Sequence, residues 1–422
     1  MLDLAAIRAD PERYRAGLAA KGMPSELLDG LLELDRRHRE SLHNLERLHA
    51  RKNAASKTVA EEKKQGRDAS STIRDMQALG ERQDALQADV DTLERRLGES
   101  LLSIPNVADP DVPVGADPSA NRIVRTWGEP LRHAFPARPH WEIGERLGII
   151  DWERGSRVAG QRFYYLKGDG ARLERLLGHW MLERHVKEDG YTELGVPLLV
   201  RPEALEGTAQ LPKFSAEMYR CADDPLYLIP TAEVPIVNFH REEVIPAGSL
   251  PLRYTAFCAN FRREAGAAGR QTRGLVRGHQ FYKVEMVAFS KPEESAREHE
   301  KMLGDAERIL QALGLAYRVA LVCTGEMTFA NARQYDLEVW APGVGEWLEV
   351  SSVSNCRDFQ ARRARIRYKE EGGKLRPPHI LNGTGVALPR TIAALLETYQ
   401  RADGSVALPE PAREALGKEM LA

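Results

Sequence analysis

Three short segments of the sequence combine residue types that handle phosphate or a hard cation. The first is Phe261-Arg262-Arg263-Glu264, which ends a strand-like run starting at Arg253. A glycine-rich loop over 265–277 follows it and carries further arginines at Arg270, Arg273 and Arg277. Guanidinium suits phosphate because its planar fork donates two parallel hydrogen bonds and never loses its charge. The second segment is Asn382-Gly383-Thr384-Gly385, which leads through Pro389 to Arg390. Its glycines admit a ligand close to the backbone, and Pro389 suits a first helical turn. Arg390 then sits near a helix N-terminus, where side chain and dipole both favour an anion. The third is Glu346-Trp347-Leu348-Glu349-Val350-Ser351-Ser352. Strict strand alternation sends Glu346, Leu348, Val350 and Ser352 to one face and Trp347, Glu349 and Ser351 to the other. Their carboxylate and hydroxyl oxygens are donors for a cation such as Mg2+. Taken singly, the three segments also read as a surface ion-pair cluster, a turn and an edge strand.

Composition narrows the field. The chain has 422 residues, 42% of them hydrophobic and 29% charged, enough apolar material for two or three folded domains. Sixty basic residues face 62 acidic ones, so overall charge gives no sign of nucleic-acid binding, and any basic surface must be local. The four cysteines, Cys221, Cys258, Cys323 and Cys356, include no C-x-x-C pair, so neither a disulfide framework nor zinc is expected. No apolar run approaches the roughly 18 residues of a membrane span, and the N-terminus does not read as a signal peptide. A cytoplasmic location is the expectation. P-loop, Rossmann, nucleophile-elbow and zincin motifs are all lacking, so a nucleotide would have to be held by other means.

The elements that must position these segments follow from periodicity. Residues 1–22 read as a short helix, with Asp10-Pro11 as an N-terminal signal and Gly22 as its stop. In the next stretch Leu31, Leu34, Leu45 and Leu48 share a heptad frame interrupted by His38 and Ser41. Further on, Met76, Gln83, Val90 and Leu97 form one series of seven, and Leu79, Leu86 and Leu93 another. Two helices of about 30 residues, each about 45 Å long, should fold back around a turn at Gly66. Lys52, Lys57, Lys63, Lys64 and Arg67 near that turn read either as a solvated face or as a basic grip on phosphates. The proline- and aspartate-rich stretch at 105–120 reads as a linker. Beyond it comes an amphipathic helix at 171–188, with Leu173, Leu176, Leu177, Trp180 and Met181 on one face. Strand-like runs follow at 196–200, 226–231, 253–262, 283–290, 317–323, 335–340 and 346–353, with helices at 292–313 and 390–400. Strands without βαβ alternation favour an α+β fold, a mostly antiparallel sheet flanked by helices.

In this order, the three segments resemble the signature motifs of class II aminoacyl-tRNA synthetases, and the whole chain is most similar to the bacterial-type seryl-tRNA synthetase family. Motif 1 is similar to 171–197, motif 2 to 253–285 and motif 3 to 382–400. Stretches similar to seryl-specific ones include Pro139-His140-Trp141-Glu142, Gln210-Leu211-Pro212-Lys213-Phe214, Thr231-Ala232-Glu233 and His279-Gln280-Phe281. The resemblance implies a coiled-coil arm over 1–104, a linker over 105–120 and a class II catalytic domain over 121–422.

It also implies the chemistry: serine is activated with ATP to seryl-adenylate and pyrophosphate, then passed to the 3′ end of serine tRNA, with selenocysteine tRNA as a further candidate acceptor. Arg262 would bind the α-phosphate, Glu264 the adenine amino group and Phe281 the base, with Arg277 and Arg390 at the γ-phosphate. Arg263, Gly278, Val350 and Ser351 complete the implied ATP site, and Glu349 and Ser352 would support Mg2+. Thr231, Ala232, Glu233, Glu285 and Thr384 would face serine together with Arg262. Arg262 and Arg390 would be catalytic. A homodimer is implied, and the basic hairpin tip would meet the tRNA. The alternatives are a paralogue that activates serine for another acceptor and a non-catalytic RNA-binding coiled-coil protein.

Overall fold

The computed structural model describes residues 1–265 and 273–422. The middle of the glycine-rich loop, Arg270 included, lies outside the described residues. Two compact units emerge, one made of 3–19 and 23–105, the other of 1–2, 20–22 and 106–422.

In the smaller unit, helix α1 (Leu4–Ala9) is capped by the Asp3 carboxylate, which accepts the Ala5 N–H at 2.9 Å. Helix α2 (Pro11–Ala20) starts anew at Pro11, so the single helix expected over 1–22 is two. Proline has no N–H with which to continue the earlier helix. Helices α3 (Glu26–Lys64) and α4 (Ser70–Leu102) form the hairpin. With 39 residues, α3 is about 58 Å long, more than expected, because Lys57–Lys64 continues the helix instead of forming the turn. The turn is confined to 65–69, with Gly66 at φ +68°. Leu28, Leu31 and Leu45 are buried against Val90, Leu93 and Leu97 in the lower part of the hairpin, and the seam thins toward the tip. A further polar interruption, Asp35, is buried and held by Arg8 at 2.8 Å and Arg39 at 2.9 Å.

The larger unit is built on an eight-stranded sheet. In chain order its strands are β1 (Arg122–Trp127), β2 (Thr192–Glu193), β3 (Leu252–Phe261), β4 (Gln280–Ser290), β5 (Tyr317–Leu321), β6 (Arg333–Ala341), β7 (Glu346–Asn355) and β8 (His379–Ala387). They lie in the order β1-β5-β6-β7-β8-β4-β3-β2, all antiparallel except the β2–β3 edge pair. The expectation of a mostly antiparallel sheet flanked by helices holds. Strands β1 and β8 were not expected. Residues 382–387 read as a glycine-rich turn because Gly383 and Gly385 hide the alternation, yet they form the sheet's interior. A Cβ at Gly383 would stand 3.0 Å from the Met302 sulfur, and one at Gly385 2.7 Å from the His185 ring. Here the glycines serve packing.

Helix α5 (His140–Arg146) precedes the sheet helices. Helix α6 (Asp169–Lys187) packs on β3 and β4, α7 (Glu233–Asn238) on β3 and β4, α8 (Ser295–Ala312) on β7 and β8, and α9 (Leu388–Tyr399) on β4, β6 and β7. Leu173, Leu177 and Met181 of α6 join Val284, Leu337, Val339, Ile392 and Leu396 in one core, while Leu176 and Trp180 stay half-buried. The stretch read as a linker is tied down within this unit: Asn106 donates through its backbone N–H to the Phe329 carbonyl at 2.9 Å and through its side-chain amide to the carbonyls of Ala330 and Cys356, each at 2.9 Å, and the Asp109 N–H reaches the Ala332 carbonyl at 2.8 Å.

Candidate active site

Strands β4, β6, β7 and β8, the start of α9 and Arg262 just past β3 line a cavity of about 850 Å³. Its two ends differ in chemistry.

One end is acidic and buried. Period two along β4 sends Phe281, Lys283 and Glu285 to the same face, and register places Thr384 of β8 directly opposite Glu285. Glu285 is 2% exposed and forms an ion pair with Lys283, whose ammonium also donates to Thr231 Oγ1 at 2.9 Å. Glu233, at the start of α7, accepts from the Gln360 amide at 2.6 Å and the Asn382 amide at 3.0 Å. Burial and the nearby Glu285 charge push the Glu233 carboxyl up to about 7, against the opposing pull of Gln360, Lys283 and Arg262. Burial raises Glu285 as well, with Lys283 working against it. Two desolvated carboxylates served by one buried ammonium are short of positive charge, a condition that favours an incoming cationic group.

The other end is lined by arginines. Arg262 leaves the end of β3, donates through Nε to the Pro230 carbonyl at 3.1 Å, and lies 5.4 Å from the Phe281 ring centroid. Glu264, at φ +50°, accepts from Arg277 at 3.1 Å. Arg390, in the first turn of α9, donates to the carbonyls of Val276 at 3.2 Å and Glu349 at 2.6 Å. Gly278 lies where a Cβ would come within 3.0 Å of the Tyr164 ring.

Between these ends, strict alternation along β7 fails. Its pairing with β6 slips by one residue near Val350, since Leu337 faces Ser351 while Glu338 faces Glu349. Such a bulge changes the phase of the strand, so Glu349 and Ser352, assigned to opposite faces by period two, both line the cavity. Behind them Asp336, paired with Ser352 in register, is raised by burial and by the Glu349 charge. Hard oxygen donors gathered here fit a divalent cation. Among the described residues no three His, Cys, Asp or Glu side chains form a metal cluster.

Of the residues singled out in the sequence, Arg262, Glu264, Arg277, Gly278, Phe281, Glu349, Val350, Ser351, Ser352, Arg390, Thr231, Glu233, Glu285 and Thr384 line this one cavity. Arg263 and Ala232 do not: Arg263 is exposed, and Ala232 is buried in the core beside Ile236. On the hairpin, Lys57, Lys63, Lys64 and Arg67 are exposed, whereas Lys52 is half-buried, its ammonium 3.7 Å from where a Cβ on Gly80 would stand. Sequence reading missed Lys283, Gln360 and Asp336, and gave Asn382 no role of its own. Alternation from Phe281 to Glu285 would have found Lys283. Asn382 was hidden by the turn reading of its segment.

Comparison with known proteins gives the same picture over the full length. The family described as "tRNA synthetase class II core domain (G, H, P, S and T)" matches residues 216–399, and "Seryl-tRNA synthetase N-terminal domain" matches residues 1–108. A serine–tRNA ligase of Thermomicrobium roseum is 49% identical over 99% of this chain and 94% of that protein. One from Pelotomaculum thermopropionicum is 48% identical over 99% of both chains. The crystal structure of seryl-tRNA synthetase from Pyrococcus horikoshii complexed with ATP superposes with a TM-score of 0.95 at 35% identity, covering 100% of this chain and 99% of that one. Relatives this similar over the whole chain, with the sheet and helical hairpin superposing on a solved seryl-tRNA synthetase, establish that the chain belongs to the seryl-tRNA synthetases, the class II serine–tRNA ligases.

Proposed function

We propose that this cavity carries out both halves of serine–tRNA ligation, with serine at its acidic end and ATP along its arginine-lined end. The observation that carries the assignment is the pairing, in one cavity, of an ammonium-deficient acid pair with three arginines. The α-ammonium and hydroxyl of serine are received by Glu285, Thr231 and Thr384, with Glu233 beside them and Ala232 setting the loop. A pocket that hydrogen-bonds a hydroxyl rejects alanine because its polar groups would then be left unpaired, a far stronger filter than size.

Arg262 holds the serine carboxylate near the α-phosphate and stabilises the charge that develops there. The carboxylate is already an anion, so its in-line attack needs no general base; seryl-adenylate forms and pyrophosphate leaves. Glu264 reads the adenine amino group and Phe281 stacks on the base, with Gly278, Val350 and Ser351 lining the nucleotide. Arg277 and Arg390 hold the γ-phosphate, with Arg263 at the rim. A divalent cation, for which we name Mg2+, would be held by Glu349 and Ser352 and neutralises phosphate charge when bound. In the second half-reaction a terminal ribose hydroxyl of the tRNA attacks the mixed anhydride.

The division of labour runs between residues 1–104, the arm, and 121–422, the catalytic domain, joined through 105–120. Lys52, Lys57, Lys63, Lys64 and Arg67 meet the tRNA backbone by shape and charge, as RNA helices require. The enzyme acts as a homodimer through the motif 1 region, residues 171–197, and works in the cytoplasm.

The experiment is charging of total bacterial tRNA with labelled serine, ATP and Mg2+. Acid-precipitable serine, with none from alanine or threonine, is the expected result. Serine-dependent pyrophosphate exchange without label on tRNA would overturn the acceptor; absence of both would overturn the reading of the cavity. Deleting 35–95 should abolish charging and leave exchange intact.

A further inference from the structure

The stretch Pro139-His140-Trp141-Glu142 has no part in the chemistry described so far. The helix it opens, α5, leaves His140 with no exposed surface, between two parts of the active site. The Leu275 N–H lies 3.1 Å from His140 Nε2. A backbone N–H can only donate, so Nε2 accepts and the ring proton sits on Nδ1. Nδ1 then donates to Glu397 Oε1 at 2.7 Å. That carboxylate, equally buried, also accepts the His140 N–H at 2.9 Å and, through Oε2, the N–H groups of Gly343 at 2.8 Å and Val344 at 3.1 Å. Four donors fix its position, and it in turn fixes the imidazole.

The two ends of this relay belong to different parts of the nucleotide end. Glu397 lies on α9, two turns beyond Arg390. Leu275 belongs to the short turn Gly274–Arg277, which presents Arg277 and is followed by Gly278. The same turn is held by Arg390 at the Val276 carbonyl, by Glu264 at the Arg277 guanidinium, and by Arg273, whose guanidinium lies 4.9 Å from the Trp141 ring centroid. The fit to His140 is tight. Gly274 has φ +77°, and a Cβ there would stand 2.2 Å from His140 Nε2.

We propose that His140, oriented by Glu397, is a positioning residue for ATP: it locks the 274–278 turn so that Arg277 and Arg390 keep one fixed relation. The proposal rests on the nucleotide reading of this end given above. The test is pyrophosphate exchange by the full-length protein, with Tm measured alongside. In His140→Asn the amide nitrogen can still serve Glu397, but nothing is left at the Nε2 position to accept from Leu275. In His140→Gln the amide oxygen can reach the Nε2 position.

For His140→Asn we expect the ATP KM to rise about 10-fold, as small misplacements of a positioned group do, with the serine KM kept within about twofold. His140→Gln should recover most of the loss. In an Arg277→Ala background His140→Asn should add little, because the positioned group is gone. An unchanged ATP KM in His140→Asn, an equal rise in the serine KM, or full multiplication with Arg277→Ala would overturn the proposal. An unchanged ATP KM in Arg277→Ala would overturn the nucleotide reading of that arginine, and the proposal with it.

Discussion

The two ends of the cavity meet at Arg262 and solve different problems. At the acidic end Glu233 and Glu285 are buried, the Lys283 ammonium pairs with Glu285 and acts on Glu233 only through its charge, and burial pushes both carboxyls toward their neutral forms. At the other end every arginine already has a protein partner: Arg262 the Pro230 carbonyl, Arg277 the Glu264 carboxylate, and Arg390 the carbonyls of Val276 and Glu349. The amino-acid end is thus preorganised by a deficit that a cation fills, while the nucleotide end is preorganised by contacts that phosphate must exchange or share. Selectivity for a small substrate needs the first arrangement, since unpaired buried groups are costly. Charge neutralisation of a large, flexible anion is served by the second, because held guanidinium groups lose little freedom on binding.

The contrast can be broken most severely where the ends meet. Arg262→Ala should slow serine-dependent pyrophosphate exchange by at least about 100-fold, as loss of a transition-state donor does, and an unchanged rate would remove Arg262 from the chemistry. Lys283→Met should act on one end alone. Without the ammonium, Glu285 shifts further toward its neutral form and the seat for serine is lost, so the serine KM should rise about 10-fold while the ATP KM holds. Equal changes in both constants would show that the ends are not separable.

A pH titration sharpens the comparison. Glu233, raised to about 7 chiefly by burial, becomes mostly ionised as pH rises past that value, and its negative charge beside the serine seat then adds to the attraction for the serine ammonium. The serine KM should therefore fall as pH rises from about 6 to about 8, and Glu233→Gln should flatten the profile. The sign for stability is opposite. A carboxyl whose folded pKa is raised loses stability as pH climbs through it, so Glu233→Gln should raise Tm more at pH 8 than at pH 5. The smallest effect is expected at Ala209, which lines the cavity at φ +65°. Ala209→Gly should relieve about 1 kcal/mol of left-handed strain, part of it offset by the freer unfolded chain, and so raise Tm slightly.

How far the sequence reached depended on whether local patterning survived tertiary contacts. The leucine heptads of 31–48 and 76–97 did survive, because a two-helix hairpin uses little beyond its own seam. Motif residues at strand ends, such as Arg262 and Arg390, were also legible, because their neighbours announce the end of one element or the start of another. Strand β8 was not, since glycines chosen for packing against Met302 and His185 look like turn residues. Lys283 was overlooked beside two residues of its own face. The Glu349 and Ser352 pair was assigned to opposite faces because a bulge is a relation between two strands, visible only once β6 lies against β7.

The sequence by itself determined the hairpin, most of the other elements, the sheet type and the residue kinds able to meet phosphate, a hard cation and a small amino acid, since these depend on periodicity and on chemistry carried by each side chain. Tertiary structure alone decided that Glu233 comes to lie beside the Lys283–Glu285 pair, that Arg263 faces out while Arg262 faces in, and that His140 reaches both Glu397 and Leu275. The His140 contacts join residues 257 and 135 positions apart. They arise when burial forces distant strands and helices to satisfy one another's polar groups, a constraint that no local pattern records.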